Sequence, residues 1–522
     1  MDTNNLVAEQ PAEVAISRSA STPSAPAGGR SQIFCDLAVV GRGTVALEAA
    51  RAAIRRQARV VLIHQSDPED AARIDPWLLS HALDQAEQGP ARGNDRSALT
   101  ADTGPGLAAV GLLQQARQFF TPAAEDLAGE DIARAGAEVL QGSATFTGPS
   151  TLKAGAVDVR FRRAIVAPTT VATPPEFVLP ERESVLTAAT LVKLAHLPQR
   201  LAVFGADSQA CQWAQLFRRL GCEVHLIDRD HVLLPGEDPQ IAAIVEAQLR
   251  RSRIRLHLGC RDIAIETMRQ RSAIVIAGEE SKEKLLVDEM FWCGPRRLDT
   301  AGMGLPAAGV VSTDQSIATS DALRTTNPRI YVVGEGCGPR YGAPLAAQAT
   351  ARVAVHNALT PLGRFFPQRF DWHLIPRTVY SDPEIIQIGL THHEITAARS
   401  EFDKYRQVLA APDRAGEDGP CSEFIEVVVD RPSGRVAAVT VVAARAESWI
   451  APLELLLARR LTLAALADVV PCYPSRLELL KRIADRCLAD REARYGLGLL
   501  GESRALRARW ARWCKRAAAG SW

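Results

Sequence analysis

The same local grammar occurs twice in this chain. Asp36 to Ile63 reads DLAVVGRGTVALEAARAAIRRQARVVLI, and Arg200 to Asp228 reads RLAVFGADSQACQWAQLFRRLGCEVHLID. Each runs from an apolar strand through a glycine turn and a helical stretch into a second apolar strand, the pattern of a βαβ unit. Two such units, about 165 residues apart, commit the chain to parallel sheets with helices on their faces. After the first unit, GAEVLQGSATFTGPSTLKAGAVDVRFRRAIVAP breaks short alternating segments with Gly and Pro and predicts a small antiparallel ribbon. SAIVIAGEESKEKLLVDEMFWCG repeats that layout after the second unit. From about Phe370 the texture changes to strands such as FIEVVVD and RVAAVTVVAA, then helices such as APLELLLARRL and LELLKRIADRCLADR, which predict an α+β module with its own core.

The glycine turns carry the chemistry. In GRGTVA, Gly41 permits the tight turn, Gly43 lets the backbone approach a pyrophosphate, and Ala46 lets the helix pack closely on the strand. The helix start then offers its N–H groups to the phosphates. The second strand of such a unit ordinarily ends in an acid that holds ribose hydroxyls, and here it ends in His64 and Gln65. Asp67 or Glu69, in the following loop, are alternatives for that task. In the second unit Gly205 and Ala210 hold the outer positions of the turn, but Asp207 stands in the middle, with a Cβ and a negative charge where a pyrophosphate would lie. Asp228, at the end of the next strand, is placed to hold an adenosine ribose.

Charge and cysteine usage narrow the partners. The 61 basic and 60 acidic side chains nearly cancel, so no global field draws the chain to nucleic acid. The ten cysteines are scattered without a CxxC pair or histidines at metal spacing, which predicts a reducing compartment and no metal centre. The Ser-, Ala- and Pro-rich first thirty residues read as a disordered leader; with no apolar run of about eighteen residues in the chain, the expected location is cytoplasmic.

Three further segments carry a family resemblance. TTNPRIYVVGEG at 325–336 matches a T-x-x-P-x-I-Y-A-x-G-D flavin motif, VYSDPEIIQIGLT at 379–391 matches the start of a dimerisation domain, and VDEMFWCGPRR at 287–297 matches a strand leading into a G-R-x-P-N turn. With the two glycine turns, the chain resembles the flavoprotein family of dihydrolipoamide dehydrogenase, glutathione reductase and mercuric reductase over about residues 33–487. The resemblance implies two doubly wound Rossmann-like nucleotide-binding domains, of FAD and NAD(P) type, and a C-terminal α+β dimerisation domain. The implied division is a leader over 1–32, FAD-binding segments over 33–185 and 306–367, an NAD(P)-type unit over 186–305, the dimerisation domain over 368–487 and a basic tail over 488–522. It implies FAD held by Gly41, Gly43, Ala46, Gly334 and Glu335, a nicotinamide site reduced to Gly205, Ala210 and Asp228, and a homodimer.

The same comparison marks departures. The family's C-x-x-x-x-C pair corresponds to AARIDPWLLSHALDQA at 71–86, which has no cysteine. Leu78 and Gln212 stand near the places of a lysine and glutamate that pair beside the flavin. APTTVATPP at 167–175 departs from an A-T-G motif. In CYPSRLE, Tyr473 replaces the family's proton-shuttling histidine while Glu478 is kept, and a tyrosine is a far weaker acid. The expected function is therefore an FAD-dependent oxidoreductase that passes electrons from a nicotinamide to a small-molecule acceptor other than a disulfide. The alternative is a non-catalytic dimeric relative acting as scaffold or regulator. In the tail, Leu506, Trp510 and Trp513 form an apolar stripe among arginines, suited to a membrane surface or to the protein's own body.

Overall fold

The computed structural model describes residues 32–64, 130–173, 185–191, 194, 196–268, 271–277, 282–409, 423–473 and 475–495. The first unit opens with β1 (Gln32–Gly41), α1 (Gly43–Ile54) and β2 (Val60–His64). It continues through β3 (Glu138–Gln141), β4 (Ala144–Gly148), β5 (Thr151–Ala154), β6 (Val157–Ala167) and β7 (Thr170–Ala172). The second contains β8 (Arg200–Phe204), α2 (Ser208–Arg219), β9 (Glu223–Ile227), α3 (Pro239–Arg251) and β10 (Arg255–His257). A three-stranded antiparallel sheet of β11 (Asp262–Met268), β12 (Arg271–Ala277) and β13 (Lys282–Val287) follows, then β14 (Glu289–Trp292) and β15 (Arg296–Leu298). The chain returns to the first sheet with β16 (Ile330–Val332) and covers it with α4 (Pro344–Leu359). The C-terminal domain comprises β17 (Arg377–Val379), β18 (Glu384–Gly389), α5 (His392–Ala397), β19 (Phe402–Val408), β20 (Phe424–Asp430), β21 (Val436–Ala443), α6 (Glu447–Ala458) and α7 (Leu477–Tyr495).

The architecture is the doubly wound pair with a C-terminal α+β domain that the sequence implies. In the first sheet the order β3-β2-β1-β6 is parallel throughout, and β16 joins β6 in the same sense. In the second, β10-β9-β8-β14 are likewise parallel. One expectation is corrected. Gly136–Pro168 is not an isolated ribbon: β4 and β5 are antiparallel, but β3 pairs β2, and β6 pairs β1 from Asp158 to Ala167, both in the parallel sense. The reason is the length of β6, whose eleven residues pair with β1 from Asp158 to Ala167 along one edge, while the other edge pairs first with β5 through Val157–Arg160 and then with β16 through Ala164–Val166.

Alanine sets how closely the layers approach. Ala46, Ala49, Ala50 and Ala53 of α1 share one buried cluster with Ala351, Ala354 and Ala358 of α4 and with Leu37, Val39 and Leu62 beneath them. Small side chains on both helices allow α1 and α4 to lie together over one face of the sheet. In the second unit the same role is filled by aromatic rings, with Trp213 of α2 tilted against Phe291 of β14 at 5.0 Å between centroids and against Phe217 at 5.9 Å. That core runs on into Val379, Ile385, Phe424 and Val442 of the C-terminal sheet.

One buried polar pair lies within the second sheet. His225 of β9 and His257 of β10 meet Nδ1 to Nε2 at 3.0 Å, and His225 is 3 % exposed. Burial, with the neighbouring His257 and Arg255, lowers the His225 pKa to about 4, and burial lowers that of His257 as well. The unfolded chain therefore takes up protons first as pH falls below its ordinary histidine value of about 6.5. Stability is fully present above pH 6.5 and declines as pH falls towards 4, by about 3 kcal/mol for a shift of this size. Denaturant unfolding across pH 4–7 is expected to show this decline, with a shallower slope for His225→Leu.

Candidate functional site

At the carboxyl edge of the first sheet, β1 is flanked by β2 on one side and β6 on the other, so the connections leave in opposite directions. This is the switch point at which open α/β sheets hold ligands. Gly41 ends β1 in register with Ala167 of β6 and His64 of β2. Its φ is +150°, and a Cβ there would lie 2.1 Å from the Ala167 carbonyl oxygen, so glycine is required. α1 then begins at Gly43, with Ala46 wholly buried against the sheet. No side chain caps the start of α1 among the described residues, so its first amides and its dipole face the switch point. Arg42, between the two glycines, is nearly buried and ion-paired to Asp299 at 3.2 Å. Beside it lies a pocket of about 90 Å³ lined by Val40, Gly41, Ile63, Ala167 and Asp299 among others.

Glu335 sits close by, in a short 3-10 turn (Gly334–Cys337) after β16. Gly334 donates to Thr350 Oγ1 of α4 at 3.0 Å. Thr170 donates to the Glu335 carboxylate from both its backbone N–H, at 3.0 Å, and its hydroxyl, at 2.8 Å. Arg296 then clasps Thr170, reaching its hydroxyl at 2.8 Å and its carbonyl at 2.6 Å. The two-stranded pairing of β7 with β15 thus ties the flavin-type motif to the segment that carries Asp299.

The second turn has the same backbone and a different helix start. Gly205 has φ +133°, and Ala210 is wholly buried. Here α2 opens one residue later, because Asp207 is its N-cap and accepts a hydrogen bond from Ala210 N–H at 2.8 Å. An anion already occupies the place where the helix would receive a phosphate. Asp207 is open to solvent yet ringed by protein, and this desolvation, with the nearby Asp228 charge, raises its carboxyl above the usual range. Asp228 also rises, through burial first, while accepting from Asp230 N–H at 2.7 Å. A pyrophosphate here would meet two carboxylates; a like-charge contact near 4 Å costs about 4 kcal/mol at an effective dielectric of 20. The N-cap of the first helix makes no side-chain hydrogen bond, whereas that of the second places a carboxylate at the helix start.

The remaining sequence candidates lie elsewhere. Glu478, on α7, is ion-paired to Arg482 at 2.7 Å, and Tyr473 is 87 % exposed on the C-terminal domain. Gln212 of α2 is buried. Asp67, Glu69, the stretch 71–86, the leader and the tail 501–522 lie outside the described residues. Sequence reasoning missed Arg42, Asp299, Thr170 and Arg296, whose contacts join segments more than a hundred positions apart. It also read Asp207 only as a repelling charge, although aspartate just before a helix is a capping signal. Among the described residues, no helix is long and apolar enough to cross a membrane.

Comparison with known proteins gives a consistent setting. A family model described as pyridine nucleotide-disulphide oxidoreductase matches residues 35–356, and that family's dimerisation domain matches 375–484. A mercuric reductase from Streptomyces lividans is 25% identical over 464 residues, covering 87% of this chain and 96% of its own. A dihydrolipoyl dehydrogenase from Thermus scotoductus is 26% identical over 352 residues, covering 67% of this chain and 75% of its own. The solved HOCl-induced flavoprotein disulfide reductase RclA from Escherichia coli shares the fold, with a TM-score of 0.69 at 18% identity over 86% of this chain and 99% of its own.

The capping role of Asp207 is separable from its charge. Asp207→Ala is expected to lower stability by about 1 kcal/mol, whereas Asp207→Asn, which keeps the capping oxygen, is expected to stay within a few tenths of wild type. Paired urea unfolding curves check this.

Proposed function

For this chain, which belongs to the pyridine nucleotide-disulphide oxidoreductase family, we propose an FAD-dependent oxidoreductase that delivers electrons to a small-molecule acceptor other than a disulfide. The contrast between the two helix starts carries this reading. α1 leaves its amides open beside Gly41 and Gly43, while α2 closes its own with Asp207. In this reading Gly41, Gly43 and the α1 amides hold the pyrophosphate of FAD, and Gly334 and Glu335 border its ribityl side. Bound FAD supplies the hydride and electron chemistry.

Thiol chemistry is disfavoured on two grounds. No two of the ten cysteines are spaced as C-x-x-x-x-C. The thiols near the turns, Cys211, Cys293 and Cys337, are all pushed up by burial, whereas a reactive cysteine needs a lowered pKa. A nicotinamide donor meets Asp207, so reduction from that side is slow. Val470, 91 % exposed, and Tyr473 lie on the C-terminal domain and favour burial against a second copy in a homodimer.

The second reading, a non-catalytic relative, is favoured by the same Asp207 cap and differs in outcome. The purified protein is expected to show a flavin absorption spectrum and to bleach slowly with NADH or NADPH under anaerobic conditions. Asp207→Gly is expected to raise that rate about tenfold or more, since it removes an opposing charge. A colourless protein overturns the proposal. A yellow protein that neither nucleotide bleaches, in wild type or variant, leaves FAD as a structural ligand and supports the second reading.

A further inference from the structure

The loop that follows α4 reads GRFFPQRF over 363–370, and its adjacent Phe365 and Phe366 are 71 % and 78 % exposed. A large apolar side chain left in water forgoes the gain of burial, and two side by side mark a surface that meets something. The base of this loop is held. Asn357 of α4, itself buried, donates from Nδ2 to the Gln368 carbonyl at 2.8 Å and to the Ala322 carbonyl at 3.0 Å, and its Oδ1 accepts from Gln368 N–H at 2.8 Å. At the near end Gly363 N–H donates to the Thr360 carbonyl at 3.0 Å, and a Cβ on Gly363 would lie 2.8 Å from the Asn357 carbonyl oxygen. At the far end Phe370 N–H donates to the Asp321 carbonyl at 2.8 Å. One buried asparagine thus fixes both ends of the loop, and the two phenylalanines stand out from it.

Arginines flank that base. Arg56, just past α1, donates to Thr360 Oγ1 at 3.1 Å and lies 3.1 Å from His356 Nδ1, at the foot of the same loop. Arg55 beside it is exposed and shares the single carboxylate of Glu48 with Arg352. Arg369 pairs with Asp321 at 3.8 Å, both side chains exposed, a pair of the weak kind that another anion displaces. We propose that this loop docks the protein on an anionic lipid surface, with Phe365 and Phe366 entering the boundary between head groups and acyl chains and Arg56 and Arg369 meeting lipid phosphates. A bilayer takes a projecting apolar pair without a preformed groove, and its negative surface attracts the basic side chains beside that pair. A second copy packed on the same patch about a two-fold axis would set these arginines against one another. The ends of α1 and α4 meet here through Arg56, whereas the open start of α1 lies at the other end of a twelve-residue helix, about 18 Å away. Docking at this loop therefore leaves the glycine turn on the side away from the lipid.

The test is co-sedimentation of the full-length chain with vesicles of phosphatidylcholine alone and of phosphatidylcholine mixed with phosphatidylglycerol. Wild type is expected to bind the mixed vesicles about tenfold more tightly, and less tightly as salt rises. Phe365→Ser with Phe366→Ser is expected to weaken that binding about tenfold or more, and Arg56→Gln with Arg369→Gln to weaken it several-fold, with melting temperature and oligomeric state as in wild type. Trp510→Ser with Trp513→Ser, in the tail, is expected to leave the effect of the loop substitutions in place. Binding that the tail substitutions abolish and the loop substitutions leave unchanged overturns the inference. A loop variant that changes oligomeric state instead gives the patch to a second copy and overturns it too. So does wild type that stays in the supernatant with both kinds of vesicle, whether or not it binds poly-glutamate, which would point to an acidic protein partner.

Discussion

The contact of Gly41 against the Ala167 carbonyl is the constraint on which the rest of this site depends. Both residues end strands in the same parallel sheet, and no side chain fits between them. Because Gly41 is bare, β1 can end at the depth of its neighbours and the chain can turn at once into α1. The helix axis then points its first amides at the crevice between β1 and β6. A single added methyl group would push this turn away from β6 and move the helix start with it. The alanines of α1 and α4 serve the same end, since bulkier side chains at Ala46 or Ala50 would lift α1 from the sheet.

Two copies of one scaffold have met the demand of their helix termini in opposite ways. An α-helix leaves about four N–H groups without internal partners at its start, and these must be satisfied by a side chain, water or a ligand. α2 takes a side chain, Asp207, which supplies both a hydrogen bond and a negative charge to the dipole. α1 takes none. The carboxylate at the start of α2 would oppose an incoming anion, and the start of α1 carries no such charge. Asp228, just after β9, accepts from Asp230 N–H and lies close enough to Asp207 for the two charges to oppose each other.

Much of this was legible in the sequence because it is local. The βαβ grammar, the glycine turns and the change of texture near Phe370 depend on periodicity and turn residues within a few positions of one another. The course of β6 was not legible: VDVRFRRAIVA reads as any strand of a ribbon, and only pairing partners in β1 and β16, distant in sequence, reveal that it joins the parallel sheet. For the site, Gly41, Gly43, Ala46 and Asp207 could be picked out by spacing. The clasp of Arg296 on Thr170 and of Thr170 on Glu335 could not, since it depends on β7 meeting β15 across 126 positions.

The polar links around the first turn form one structure. Arg42 reaches Asp299, the Asp299 N–H donates to the Thr169 carbonyl at 2.8 Å, and the adjacent Thr170 joins Glu335 to Arg296. Four separate stretches of chain thereby converge on the carboxyl ends of β1 and β6, with acids and bases paired across them. Such pairing keeps each charge compensated in a partly buried setting, where removing one partner would leave the other exposed to the full desolvation cost. Any attraction of this turn for an anion would then come from backbone N–H groups and the helix dipole, which are rigid, rather than from a mobile cation. A site built in that way favours a ligand of defined shape over any phosphate that diffuses in.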